Sequence, residues 1–293
     1  MTQSGIAASS NTGGLRKVPT SPRTLFSSIM TGVAVLCAAL ALIPLFAVLA
    51  YVIVKGAGRL DLAAFTQLPP APGLQGGGFG NALLGTLLTV GIAAALSIPF
   101  GIIAAIYLSE FGRGSKLTSA IDFFVNVLSG VPSIVIGAFA FAVVVLTTGT
   151  FSAVAGGFAL AVLMVPTIVR TSAEALEAVP NDFRQASIGL GATRIQTTLQ
   201  VVLPAAIPAI LTGVMLAIAR AAGETAPVLF TASFNRFWNT TIWQPTATMS
   251  RLVFDFATSA YAAQQSLAWA GSLVLVALVL ITSVLSRMVI RKR

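Results

Sequence analysis

The sequence predicts an all-α polytopic membrane protein of about six transmembrane helices, with both termini in the cytoplasm. Three observations lead there. The 293 residues are 56% hydrophobic and only 9% charged, against roughly a quarter charged in a soluble domain. Six apolar runs are each long enough to cross the hydrocarbon as a helix, which takes about 20 residues. Lys and Arg are spread unevenly over the segments that join those runs.

Residues 1–24 are rich in Ser, Thr, Gly and Pro and are expected to form a disordered cytoplasmic tail. The first span is 27–54. Its apolar run from Leu25 to Val54 far exceeds a signal-peptide core, so it is a retained helix. An outer segment, 55–80, carries Pro69, Pro70, Pro72 and the run Gly76–Gly78. No Gly-Lys-Ser or Gly-Lys-Thr follows those glycines, so they form a flexible connector rather than a phosphate loop. Spans two, three and four are 81–109, 120–147 and 152–171, with Pro99, Pro132 and Pro166 expected to kink them. A polar stretch, 172–205, precedes the fifth span at 206–232. The outer segment 233–266 holds Phe234, Phe237, Trp238, Trp243 and Tyr261. Such residues suit the membrane–water interface, although a face for an external protein is the alternative. The sixth span is 267–288.

With the first terminus inside, the cytoplasmic segments hold Arg16, Lys17, Arg23, Arg113, Lys116, Arg170, Arg184, Arg194, Arg287, Arg291, Lys292 and Arg293. The outer segments hold Lys55, Arg59, Arg236 and Arg251, and Arg220 lies within a span. Twelve cations against four set the orientation. The net charge of +9 is therefore a topology signal and not the footprint of a nucleic-acid binder.

Several chemistries are excluded. The chain has no histidine, which removes imidazole acid–base catalysis, Ser–His–Asp triads and most zinc sites. Its one cysteine, Cys37, lies in an apolar run and offers neither a disulfide nor a metal site. No Walker motif occurs, so the chain is not an ATPase; no metal or cofactor of its own is expected.

The polar stretch 172–205 carries signals for two short helices. Asp182 with Gln185 forms a capping-box pattern, and Gly191 suits the left-handed turn that ends a helix. Thr193 with Gln196 repeats the pattern, and Pro204 marks entry into the fifth span. Phe183, Ala186, Ser187 and Leu190 recur at i, i+3, i+4 and i+7 and share one face. That face can lie in a groove on a partner or pack against the chain's own spans.

Inside the fifth span, Arg220 and Glu224 stand four apart and can pair on one helix face. Ionisable groups at this depth are costly and are paired or line a cavity. Pro227 leaves the carbonyl of Gly223 without its helical donor, so a break beside Glu224 is expected. Irregular backbone at that depth belongs at a protein- or water-covered interior. The pair is either a structural brace or a gate on an anion's path, for which a guanidinium supplies paired donors. Arg170 closes the fourth span as a cytoplasmic anchor, or meets an anion at the inner mouth. Ser133, in Gly130–Ser133, puts a hydroxyl beside a bend and is a further pathway candidate.

The stretch Gln185-Ala186-Ser187, Gly191, Val201, Leu203, Pro204 resembles the EAA loop of bacterial ABC importer permeases, with Gln185 in place of the acid and Ser187 in place of the second alanine. The segments 83–110, 128–137 (LSGVPSIVIG) and Ala155 to Arg287, above all TGVMLAIARAAGETAPVLFTA at 212–232, resemble the PstA family of phosphate-specific permeases. The resemblance implies a type I ABC importer permease domain over 25–293. It implies import of inorganic phosphate across the inner membrane of a bacterium. Its implied partners are a PstC-like sister permease, a pair of PstB-like ATPases that bind the ATP and Mg, and an external phosphate-binding protein. The implied ATPase-docking surface is Phe183, Arg184, Gln185, Ala186, Ser187, Leu190 and Gly191.

Overall fold

The computed structural model describes residues 22–112 and 114–291. It divides into two compact units, Met1–Tyr51 and Val52–Arg293. Of the expected tail, residues 1–21 lie outside the described residues. Pro22–Thr24 already form the first turn of α1 (Pro22–Ala57), where a proline is tolerated because its missing N–H has no helical partner. The part of α1 in the first unit exposes its apolar side chains along its length, as a helix in lipid does.

The second unit is built from long helices and short connectors. A five-residue helix, α2 (Leu62–Thr66), is capped by the Asp61 side chain. α3 (Gly80–Phe111) ends in a π turn over Tyr107–Phe111. The third span is not one helix. α4 (Lys116–Gly130) and α5 (Ser133–Thr148) meet at 108° across Val131–Pro132. Pro132 clashes with the helical conformation of the residue before it, and Val131 is accordingly extended (φ −74°, ψ 129°). α6 (Ala153–Glu177) is capped by Ser152 and runs six residues beyond the expected 171.

The polar loop is shorter than expected. α7 (Asn181–Gly189) is followed directly by α8 (Arg194–Gly223), which already crosses the fifth span. The Thr193–Gln196 capping box is present, but it opens α8 rather than a separate short helix. Pro204 does not mark a boundary: it lies two residues beyond a π turn over Thr198–Val202, inside a helix that runs on to Gly223. α9 (Ala226–Thr231), α10 (Met249–Ala257) and α11 (Ala262–Arg291) complete the chain. Among the described residues, five of these helices are long and apolar enough to cross a membrane, or six when the bent α4–α5 pair is counted as one broken span.

Packing is close where glycines sit. A Cβ on Gly101 of α3 would lie 2.6 Å from Ile168 of α6, and one on Gly157 of α6 would lie 2.6 Å from Ile92 of α3. Gly213 brings α8 equally hard against Thr171. Small residues allow such approach in lipid, where burial of apolar surface supplies little drive. Leu160, Met164, Ile168, Val202, Ile210 and Val214 fill the core between α3, α6 and α8. A second cluster at the opposite end from α7 joins Phe79, Ala82, Met249, Leu252, Phe256 and Leu267. Through it the amphipathic α10 is seated on α11 and α3, and Phe234 of the aromatic segment packs against Phe256. Phe237 and Trp243 stay exposed.

Candidate functional site

The sequence-predicted site residues fall mainly in two places: the short helix α7, and the paired helix breaks near Glu224 and Pro132. Asn181 and Asp182 open α7 behind Pro180. Asp182 is therefore not its cap, and its carboxylate instead sits in the first turn, where the helix dipole favours an anion. The other end is as expected. Gly191 has φ +89°, its N–H donates to the Ile188 carbonyl, and the Ala192 N–H donates to the Ser187 carbonyl. This paired closure satisfies carbonyls that a helix end otherwise leaves open.

Phe183, Gln185, Ala186 and Leu190 are exposed, and Leu190 is 91% accessible. Ile188 joins them as an exposed apolar side chain. Two of the residues expected on this face turn the other way. The Ser187 hydroxyl shares a 2.9 Å hydrogen bond with that of Thr197 on α8. Arg184 reaches inward to Glu110, with Nη2 2.7 Å from Oε1, and donates to the carbonyls of Leu176 and Val179 at 2.8 and 2.6 Å. A five-donor fork beside a carboxylate and two helix-end carbonyls satisfies them better than open solvent would.

Glu110 is not among the residues the sequence points to. It closes the π turn of α3, and it also holds α8. Arg194 donates to its backbone carbonyl and lies 5.5 Å over the ring of Phe111. The ends of α3, α6 and α8 and the whole of α7 thus converge on one acid. The available signal was weak: a lone acid at the end of an apolar span, with two arginines in a later polar segment.

The predicted break is present. α8 ends at Gly223, Glu224 is extended (φ −71°, ψ 131°), and α9 resumes with Pro227 in its first turn. The freed backbone is covered. Ser250 of α10 donates to the Glu224 carbonyl at 2.9 Å, and Arg251 donates to that of Leu229 at 3.2 Å. Gly137 of α5 packs on Pro227 so closely that a Cβ would lie 2.9 Å from its Cα. Ser133 sits one turn before Gly137, so the break of the third span adjoins the break of the fifth.

Arg220 and Glu224 pair as expected, with Nε 3.3 Å from Oε1. The pair does not point into the helix bundle of this chain. The Arg220 side chain is 63% exposed and that of Glu224 19%. Arg170 is not at a helix end, since α6 continues to Glu177; it bonds Asn126 of α4.

The two ion pairs differ in kind. Glu110 and Arg184 have side chains only 7% and 14% exposed, and breaking such a buried pair from one side costs about 3–5 kcal/mol. An exposed i,i+4 pair is worth about 0.3–0.5 kcal/mol. The Glu110–Arg184 pair is the more enclosed of the two, and in the other pair only Arg220 is widely exposed.

Residues 97–293 match the model of the family described as binding-protein-dependent transport system inner membrane component. Among named relatives, the phosphate transport system permease protein PstA of Yersinia pestis is 41% identical over 241 residues, covering 82% of each chain. The protein of the same name from Haemophilus influenzae is 36% identical over 266 residues, 91% of this chain and 94% of its own. Among solved structures, a bacterial alginate ABC transporter chain aligns with a TM-score of 0.65 at 13% identity, over 92% of this chain and 97% of the other. A chain of the inward-facing MetNI methionine ABC transporter aligns with a TM-score of 0.59 at 19% identity, over 72% and 94%. These structures bear on the fold alone.

Proposed function

The chain belongs to the PstA family of phosphate transport system permeases, within the binding-protein-dependent inner membrane components, and from that premise we propose that it is the membrane-spanning subunit of an ATP-driven phosphate importer in a bacterial inner membrane. It is a transporter subunit and not an enzyme. ATP and Mg are bound by a separate ATPase pair of the PstB type. The second half of the pathway comes from a PstC-like sister permease, and phosphate arrives from an external binding protein.

The observation that supports this function best is α7. It is a helix closed by Gly191 at the same end of the bundle as the ends of α3, α6 and α8, and it presents Phe183, Ala186, Ile188 and Leu190 to solvent. An apolar helix face held rigidly from behind suits a groove on a partner. Closure of the ATPases on ATP would move α7 and reorient the spans in alternating access. At the far side of the break, Arg220 faces out of this chain, where a sister permease completes a pathway. Its guanidinium meets phosphate when Glu224 lets go, with Ser133 and Arg170 as further pathway groups. The Gln185 amide, exposed on α7, contacts the ATPase without an ion pair.

The test is uptake of labelled phosphate into vesicles holding the reconstituted complex. Uptake should need ATP inside the compartment that contains the ATPase, and a tenfold excess of sulfate should leave it unchanged. Equal competition by sulfate would broaden the substrate to oxyanions generally, and ATP-independent uptake would defeat the proposal.

A further inference from the structure

The geometry points to Glu110 as a positioning residue that turns movement of α7 into movement of the spans, through a strut made with Arg184. The inference rests on α7 being the helix that receives the ATPase.

Three observations support it. First, α7 is only nine residues long and is flanked by short non-helical links at 178–180 and 190–193. A partner pulling on its exposed face would swing it on those links unless its inner face were fixed. Second, the fixings meet at one place. The Glu110 carboxylate takes the Arg184 fork at 2.7 Å, while the Glu110 carbonyl takes Arg194 from α8. The same Arg184 holds the end of α6 through the Leu176 carbonyl and the link that follows it through the Val179 carbonyl. Displacement of α7 therefore reaches α3, α6 and α8 together. Third, the joint is built to stay closed. Glu110 is buried and Arg184 is largely covered and satisfied on several sides, so opening the pair would leave a mostly enclosed cation facing carbonyls alone. Ser187 and Thr197 add one neutral hydrogen bond to the same joint.

The experiment uses the whole complex in vesicles and reads three quantities: ATPase recovered with the permease, ATP hydrolysed, and phosphate taken up. Glu110→Ala should leave ATPase recovery and hydrolysis near wild type while uptake falls about tenfold, the size that coupling-network changes reach. Glu110→Asp keeps the charge and should regain most of the uptake. The double variant Glu110→Ala with Arg184→Met removes both charges, so no cation is stranded and folding is relieved. It should be as stable as wild type and still uncoupled. Recovery of transport in that double variant would reduce the pair to a stability role and overturn the inference, as would unchanged uptake in Glu110→Ala. The docking proposal fails separately, if Phe183→Ala with Leu190→Ala retains the ATPase in full.

Discussion

Arg220 shows what one side chain can decide. It stands 63% exposed with one weakly held partner, Glu224, at 3.3 Å. A permanent charge so placed is available to an anion at little cost. Arg220→Gln should therefore cut phosphate uptake by a factor of about ten or more, the worth of a charge-assisted bond, while the complex still copurifies. Uptake at the wild-type rate would return Arg220 to a structural role. Gly213 decides packing instead. Any side chain there meets Thr171, and overpacking a tight core costs about 1–3 kcal/mol. Gly213→Val should lower the thermal stability of the detergent-solubilised complex; an unshifted melting curve would mean that α6 and α8 part easily.

At the scale of the element, helix ends matter most. Gly191 closes α7 at φ +89°, a conformation that costs an ordinary residue about 1–2 kcal/mol. Gly191→Asp also places an anion at the negative end of the helix dipole. It should leave the permease in the membrane yet reduce the ATPase recovered with it, measured by pull-down from solubilised membranes. Full recovery would remove α7 as the docking element. Much of this element was legible beforehand. The glycine stop, the Thr193–Gln196 cap and the break between Gly223 and Pro227 are rules of local chemistry, written within a few residues of one another. Pro204 misled because α8 carries the proline without ending, as α3 and α6 carry Pro99 and Pro166. The two sides of α7 were only half legible: spacing placed Ser187 on the apolar face, but its hydroxyl found Thr197.

For the whole molecule, hydropathy was sufficient to find the spans, since that signal is carried by every segment separately, and Lys/Arg placement predicts their orientation. Contacts between distant segments leave no such trace, which is why Glu110 stayed hidden while Arg184 and Arg194 were visible. Orientation is directly testable. In a Cys37→Ala background the chain has no other cysteine. Gln75→Cys should then react with a membrane-impermeant maleimide added to intact cells. Gln185→Cys should react only after the membrane is opened. The reverse pattern would invert the topology.

The ion pair at the base of the bundle also sets an order of events during synthesis. Glu110 and Arg184 are 74 residues apart. At about 5–20 residues per second, a ribosome takes roughly 4–15 s to supply the cation after the acid has emerged. During that interval α3 is inserted with its terminal carboxylate unmatched. Nascent chains released before Arg184 should be cleared by membrane proteases faster than chains released just after Arg194, a difference that pulse-chase labelling of two truncations would measure.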